Sequence, residues 1–446
     1  MKSEKFKKLV LISLLLAIVC LLSANAFAID AKRTVLSNGL TVLHSENHNL
    51  PIVMVTLMVK AGQRHEQKEK AGLANLTAEL LTEGTKNRSS RVISEEIDFI
   101  GASLDASAGN DFTTITLSVL KKDADKGFEL FSDILLNAIF SQAEIDRKRE
   151  KIKGSLRQQE EDPSFLAGRA FKKEVFGEHP YGRLIEGSTN TLDTITKDDL
   201  STFYSGFFLP NNAILSIAGD LTTGELDSVM KKYLGVWKKA DLPLIPRSDI
   251  EGKKAKSVIK IDKDLTQANI ILGHLGISRD NPDYYAVSVM NYLLGGGGFS
   301  SRLMQSVRDK MGLAYDVHSF FSAYKEEGSF QIGVQTKNES ANVALDEILR
   351  QIERMRSEMV SDEELSDAKA YLTGSFSRRL DTSRKIADFF ASAEFYGLGA
   401  DYIEKYPFYV NSVTKEDVLR VAKKYLDTEH YVLVVVANQE KAMLKY

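Results

Sequence analysis

The segment TKDDL at 196–200, followed by the apolar run AILSIAG at 213–219, reappears as TKEDV at 414–418 followed by YVLVVVA at 431–437. A second pair keeps the same order and nearly the same offset: SQAEI at 141–145 with Gly154-Ser155, then SDEEL at 361–365 with Gly374-Ser375. Two independent matches at nearly one spacing make the chain two copies of a single unit. A duplicated chain of 446 residues is expected to form two similar domains rather than one large core.

Within each copy, Thr-Lys-(Asp/Glu)-Asp reads as a helix N-cap with an acidic first turn, and the apolar run after it reads as a buried strand. Other segments, such as VMVTLMV at 53–59 and FTTITLSV at 112–119, have strand character. Strands mixed with helices imply an α+β class: in each domain a mostly antiparallel sheet with helices packed on one face. Pro243, Pro246 and many charges mark 238–256 as a linker. The expected domains are then 29–237 and 257–446.

Residues 1–28 begin with Lys2, Lys5, Lys7 and Lys8, continue through an apolar run from Leu9 to Leu22, and end in Ala26-Phe27-Ala28. That pattern is a secretory signal peptide cut after Ala28, too short for a stable membrane span. The expected location is outside the cytoplasm, in the periplasm. Cys20, the single cysteine, would leave with the signal, so the mature chain would have no disulfide. Four lysines and Glu4 leave too, taking the formal charge from −3 to −6. A mildly acidic chain without a basic stripe argues against nucleic-acid binding.

The stretch AGLANLTAELLTEGT at 71–85 has helical periodicity, with Leu76, Thr77, Leu80 and Leu81 on the side of Leu73. Asn75, Ala78 and Glu79 are expected to share the outward face. The stretch resembles the signature helix of the insulinase/pitrilysin-type zinc peptidases, the inverzincins, which usually reads G-L-A-H-x-x-E-H-x-x-x-x-G-T. Asn75 and Glu79 then stand where that family has its two zinc-binding histidines, and Ala78 where it has the general-base Glu. The family's third ligand is a Glu on a later helix. REKIKGSLRQQEEDP at 149–163 aligns with that helix, but places Gly154 and Ser155 at the ligand positions. An amide and one carboxylate do not replace two imidazoles, and Ala78 cannot accept a proton. No metal is expected in this chain, and alone it should not be an active peptidase. The family is also built from paired homologous α+β domains, which agrees with the duplication.

The second copy contains LLGGGGFSSRLMQSVRDKMGLAY at 293–315. Leu303, Met304 and Val307 make an amphipathic helix, Gly312 is a suitable C′ residue, and the next strand starts at Leu313. The segment resembles the family's second-domain stretch, in which an Arg and a Tyr reach across to a zinc domain; here they are Arg308 and Tyr315. By resemblance, they hold the scissile carbonyl and stabilise the developing oxyanion. Gly295, Gly296, Gly297 and Gly298 lack the Lys-Ser/Thr of a phosphate loop and are read as a helix-entry turn where peptide backbone could approach. His44 and His48 lie where a strand runs into a turn and are expected to be solvated. His179-Pro180-Tyr181-Gly182-Arg183, also similar to the family, is expected to be a packing and turn element.

Some bacterial members of the family work as heterodimers in which one subunit carries H-x-x-E-H and the other supplies the Arg/Tyr pair across a clam-shell chamber. The resemblance therefore implies a non-catalytic subunit. Its partner would be a homologous H-x-x-E-H subunit carrying the zinc, and its substrates short or unfolded peptides. The alternative is a purely structural or peptide-binding protein with the same fold.

Overall fold

The structure, a computed structural model, describes residues 29–245 and 250–446. The signal-peptide expectation for 1–28 and four residues of the expected linker lie outside the described residues. The strands are β1 (Lys32–Val35), β2 (Thr41–Glu46), β3 (Ile52–Val59), β4 (Ser103–Ala108), β5 (Thr113–Leu120), β6 (Ala213–Gly219), β7 (Ser257–Asp262), β8 (Gln267–Leu275), β9 (Ala314–Ser322), β10 (Ser329–Lys337) and β11 (Val432–Ala437).

They form two sheets, ordered β1-β2-β6-β3-β5-β4 and β7-β11-β8-β10-β9. With β1 set aside, the two orders superimpose strand for strand. Each sheet has one parallel pair, β2 with β6 and β7 with β11, among otherwise antiparallel neighbours. The repeats in the sequence are thus repeats of topology: both apolar runs are central strands that close the unit beside its opening strand.

Six helices matter for the sites: α1 (Leu73–Leu80), α2 (Gln142–Gln159), α3 (Pro163–Phe176), α4 (Lys197–Phe207), α5 (Ser383–Phe395) and α6 (Lys415–Tyr425). Thr196 and Thr414 cap α4 and α6. Each hydroxyl accepts from the backbone N–H of Asp199 or Asp417, and that aspartate binds the cap residue's own N–H in return.

One face of the first sheet is covered by helices of its own half: Leu76 and Leu80 of α1, Ile152 of α2 and Phe203 of α4 join Leu57, Ile115 and Leu215. The other face receives α5 from the second half, whose Ala387 and Phe390 join Met54, Met58, Ile214 and Ala218. In exchange, α3 of the first half packs Leu166, Phe171 and Val175 on Val432, Val434 and Val436 of β11. This reciprocal packing adds to the expected layering. It also explains why β6 and β11 are apolar at nearly every position: strands buried on both faces have no solvent side to alternate with. At about 1.5–3 kcal/mol per buried large side chain, the two crossed helices couple the halves strongly.

A buried polar junction reinforces that coupling. His179 Nε2 lies 2.8 Å from one carboxylate oxygen of Glu326, and Arg64 donates to the other at 2.6 Å. The Tyr181 hydroxyl donates to Asp111, which also accepts the backbone N–H of Lys325. His179 to Arg183 is therefore the packing and turn element expected, folded as a 3-10 turn over Pro180–Gly182.

Candidate functional site

The altered helix α1 starts at Gly72, whose φ of +99° is left-handed; a Cβ there would lie 2.6 Å from the carbonyl oxygen of Glu186. The cap is supplied from outside the helix. Glu66, fully enclosed, accepts the N–H groups of Gly72 at 3.1 Å and Ala74 at 2.6 Å. Burial nevertheless pushes its carboxyl up to about 8.

Asn75 and Ala78 are not on an outward face. Both are buried, because α2 packs along the side of α1 opposite Leu73. Only Glu79 retains partial exposure, and it is held from two sides. Asn75 Nδ2 donates to Glu79 Oε1 at 3.2 Å, and Lys148 Nζ lies 3.5 Å from Glu79 Oε2. Lys148, on α2, is only 8% exposed and also reaches Glu83 at 2.7 Å. Burial alone would raise Glu83, but its bonds to Lys148 and Ser90 outweigh that and hold it below the usual carboxylate range. An internal ammonium thus bridges two carboxylates beside the position where the signature helix carries its ligands.

Glu79, Ser155, Gln159 and Glu186 line a small cavity of about 210 Å³. Ser155 is the member of the Gly154-Ser155 pair that faces this cavity. A side chain on Gly154 would meet no atom within 4 Å. These residues do not fit a zinc ion: the first-domain helix offers one carboxylate already engaged by an amide and a cation, and Ser155 is a weak neutral donor. Among the described residues, no cluster of three His, Cys, Asp or Glu side chains is placed to hold a metal. The sequence does not mark Lys148: α2 carries many charges, and nothing in its spacing separates Lys148 from solvated lysines.

Arg308 and Tyr315 do come together. The helix that carries Arg308, Met304–Lys310, is wound as a π-helix and closes at Gly312, with φ +63° and its N–H bonded to the Arg308 carbonyl at 2.9 Å. Tyr315 is the second residue of β9. Both side chains line one open pocket of about 660 Å³ with Gln267, Gln335 and Lys337. Tyr315 is 87% exposed, and among the described residues its hydroxyl has no partner. Arg308 pairs with Asp309 at 2.7 Å and lies 4.9 Å from the ring centroid of Phe299. Tyr315 also borders a second cavity of about 320 Å³, closed on one side by Ser164 and Ala167 of α3. Neither pocket shares a lining residue with the Glu79 cavity.

The glycine run has an internal explanation. A Cβ on Gly295 would sit 2.6 Å from Ser319 N on β9, on Gly296 2.6 Å from Asn291 Nδ2, and on Gly297 2.7 Å from the Tyr292 carbonyl. Backbone contacts therefore require glycine at Gly295 and Gly297, whereas at Gly296 the nearest atom is a side-chain end. Gly298, at φ +58°, turns the chain into the next short helix.

His44 corrects another expectation: it is buried, with Nε2 2.8 Å from the Leu221 carbonyl, and burial pushes its imidazole down. His48 is exposed but ion-paired to Asp220 and Glu46, whose bonds raise it.

Sequence and structure comparisons agree with this geometry. The description "Insulinase (Peptidase family M16)" matches residues 41–189, and "Peptidase M16 inactive domain" matches residues 194–372. A Rickettsia felis protein described as an uncharacterized zinc protease is 30% identical across 87% of this chain and 93% of its own length. The chain belongs to the insulinase, or M16, family.

The Helicobacter pylori non-peptidase homolog YmxG is 26% identical over 97% of this chain and 99% of its own. The solved structure of a peptidase M16 inactive domain from Pseudomonas fluorescens superimposes with a TM-score of 0.85 at 27% identity, covering 91% of this chain and 98% of that one. With Asn75, Ala78 and Glu79 in its signature helix, this chain is a non-catalytic M16 member.

Proposed function

We propose that this chain is the non-catalytic subunit of a heterodimeric zinc peptidase, completing the active site of a homologous H-x-x-E-H subunit. The observation that carries this reading is the asymmetry between its two sites. The signature helix has no ligand set and is internally neutralised by Lys148, whereas Tyr315 presents a free hydroxyl beside Arg308 in an open pocket. The partner would supply the zinc and with it the activated water.

The residues of this chain act by hydrogen bonding and charge. The Tyr315 hydroxyl and Arg308 guanidinium donate to the scissile carbonyl oxygen as negative charge develops on it. Each such donor is worth about 3 kcal/mol when it is preorganised. Arg308 is held by Asp309 and Phe299, which limits its rotamers before substrate arrives. The second half-chamber encloses the peptide, so short or unfolded peptides are the substrates. Export is part of the reading, since residues 1–28 have the pattern of a secretory signal, and the periplasm is the proposed location.

The test is co-purification with a neighbouring-gene product that has an intact H-x-x-E-H helix, followed by zinc analysis and peptide cleavage assays of each chain and of the pair. Zinc and cleavage are expected only with that partner present. Stoichiometric zinc and chelator-sensitive cleavage by this chain alone would overturn the proposal.

A further inference from the structure

A cavity of the first half lined by several cations has no part in the Arg308/Tyr315 site. It has a volume of about 520 Å³, within the usual range for a ligand pocket, and lies between the C-terminal end of α2, the middle of α3 and the loop after Tyr181. Five cationic side chains line it and only two carboxylates do. The carboxylates are already used: Glu178 pairs with Lys68 at 2.5 Å, and Glu160 with Arg169 at 2.5 Å. Arg157, Lys173 and Arg183 remain, and none of them has an ion-pair partner among the described residues.

Arg183 is the most informative of the three. Its Nη2 donates to the Glu178 carbonyl at 3.1 Å, while its Nη1 is enclosed and has no acceptor. The nearby carboxyl of Glu66 is not its ion-pair partner, because both of its oxygens are turned to the N–H groups at the start of α1. The cavity is thus lined by three cations that form no ion pair among the described residues.

We infer that this cavity binds a carboxylate carried on an extended peptide. The clustered charges of Arg183, Lys173 and Arg157 suit a carboxylate. Leu156 and Leu184 in the same lining give an apolar surface that a bare inorganic anion would not use. The cavity also abuts the Glu79 cavity, with which it shares Leu156, so one peptide could lie along both. The carboxylate can come from an acidic side chain or from the peptide's own C-terminus. The choice of a peptide as its carrier rests on the peptide-chamber reading above, whereas the anion specificity rests on the cavity alone.

Titration calorimetry of the full mature chain, without partner, tests the assignment with three otherwise identical short peptides. One has a glutamate and an amidated C-terminus, one is neutral with a free C-terminus, and one is neutral and amidated. At least one carboxylate-bearing peptide is expected to bind at least about tenfold more tightly than the third, and which one does so identifies the source. Arg183→Gln should weaken that binding by about 10- to 100-fold. The double variant Arg157→Gln/Lys173→Gln, at exposed positions that leave the fold intact, should also weaken it and flatten its salt dependence. Equal binding of all three peptides, no binding of any, or binding of inorganic phosphate alone would overturn the assignment. Because neither Arg308, Tyr315 nor the partner enters this measurement, its failure would leave the proposed role in turnover to be judged separately.

Discussion

Replacing Lys148 by methionine is the sharpest test of the idea that an internal cation has taken over the altered site. Methionine keeps an unbranched apolar stem, one atom shorter, and removes the ammonium with its charge and donors. The variant would leave Glu83, whose side chain is 12% exposed, and Glu79 facing each other without the ammonium between them. Breaking a buried pair by removing one partner costs about 3–5 kcal/mol. Arg147 and Ser90 still reach Glu83, at 2.5 and 2.7 Å, and Glu79 is part-solvated, so the expected loss is about 2–3 kcal/mol.

The loss should depend on pH in one direction. Glu83 is held below the usual range, so its stabilising contribution is present above the unfolded glutamate value of about 4.3 and disappears as pH falls through its lower folded value. Wild type and variant should therefore differ most near neutrality and converge in acid. Urea unfolding followed by circular dichroism between pH 3.5 and 7.5, on the order of the window set by these values, would measure it. The double variant Lys148→Met/Glu83→Gln should recover part of the loss, because no uncompensated charge remains. A change below about 0.5 kcal/mol at pH 7, or a constant offset at every pH, would refute the reasoning.

Glu66→Gln should change the pH dependence of stability in the opposite sense. The wild-type carboxyl is raised by burial to about 8, so wild-type stability should fall as pH rises from about 4.3 to 8, and the variant should lose that component whatever its constant offset. Urea midpoints across the window check this, and parallel curves would contradict it. Gly295→Ala should destabilise by about 1–3 kcal/mol, since its Cβ would press on the Ser319 backbone nitrogen at 2.6 Å. A thermal melt unchanged from wild type would show that the helix–strand contact yields more easily than the geometry implies.

Much of this fold is legible in the sequence because its signals are local or repeated. The Thr196 and Thr414 caps, the Gly312 stop and the turn at Pro180 each depend on a few neighbouring residues, and each forms as read. The duplication is legible because the two units conserve strand order, so their apolar runs fall at equivalent places.

What escapes is non-local. The exchange of α3 and α5 between the two sheets leaves no periodicity of its own, since a helix face packed on a distant sheet resembles one packed on its own. Helix packing on α1 buries Asn75 and Ala78, although a helical wheel alone puts them outward. His44 looks like a turn histidine until the Leu221 carbonyl is seen beside it. The cation-lined cavity escapes for the same reason: Arg157, Lys173 and Arg183 lie on three different segments, and only the fold brings them together.

The claim that this subunit completes a partner's site is tested most directly by the turnover number of the reconstituted pair with Tyr315→Phe in this chain. The substitution removes one hydroxyl from an 87% exposed side chain, so folding and assembly should be untouched. Losing one preorganised donor to the developing oxyanion should lower kcat by about 10- to 1,000-fold, with the pair still co-eluting at its original size. Wild-type kcat in that variant and in Arg308→Ala would contradict the account and leave this chain a structural partner only.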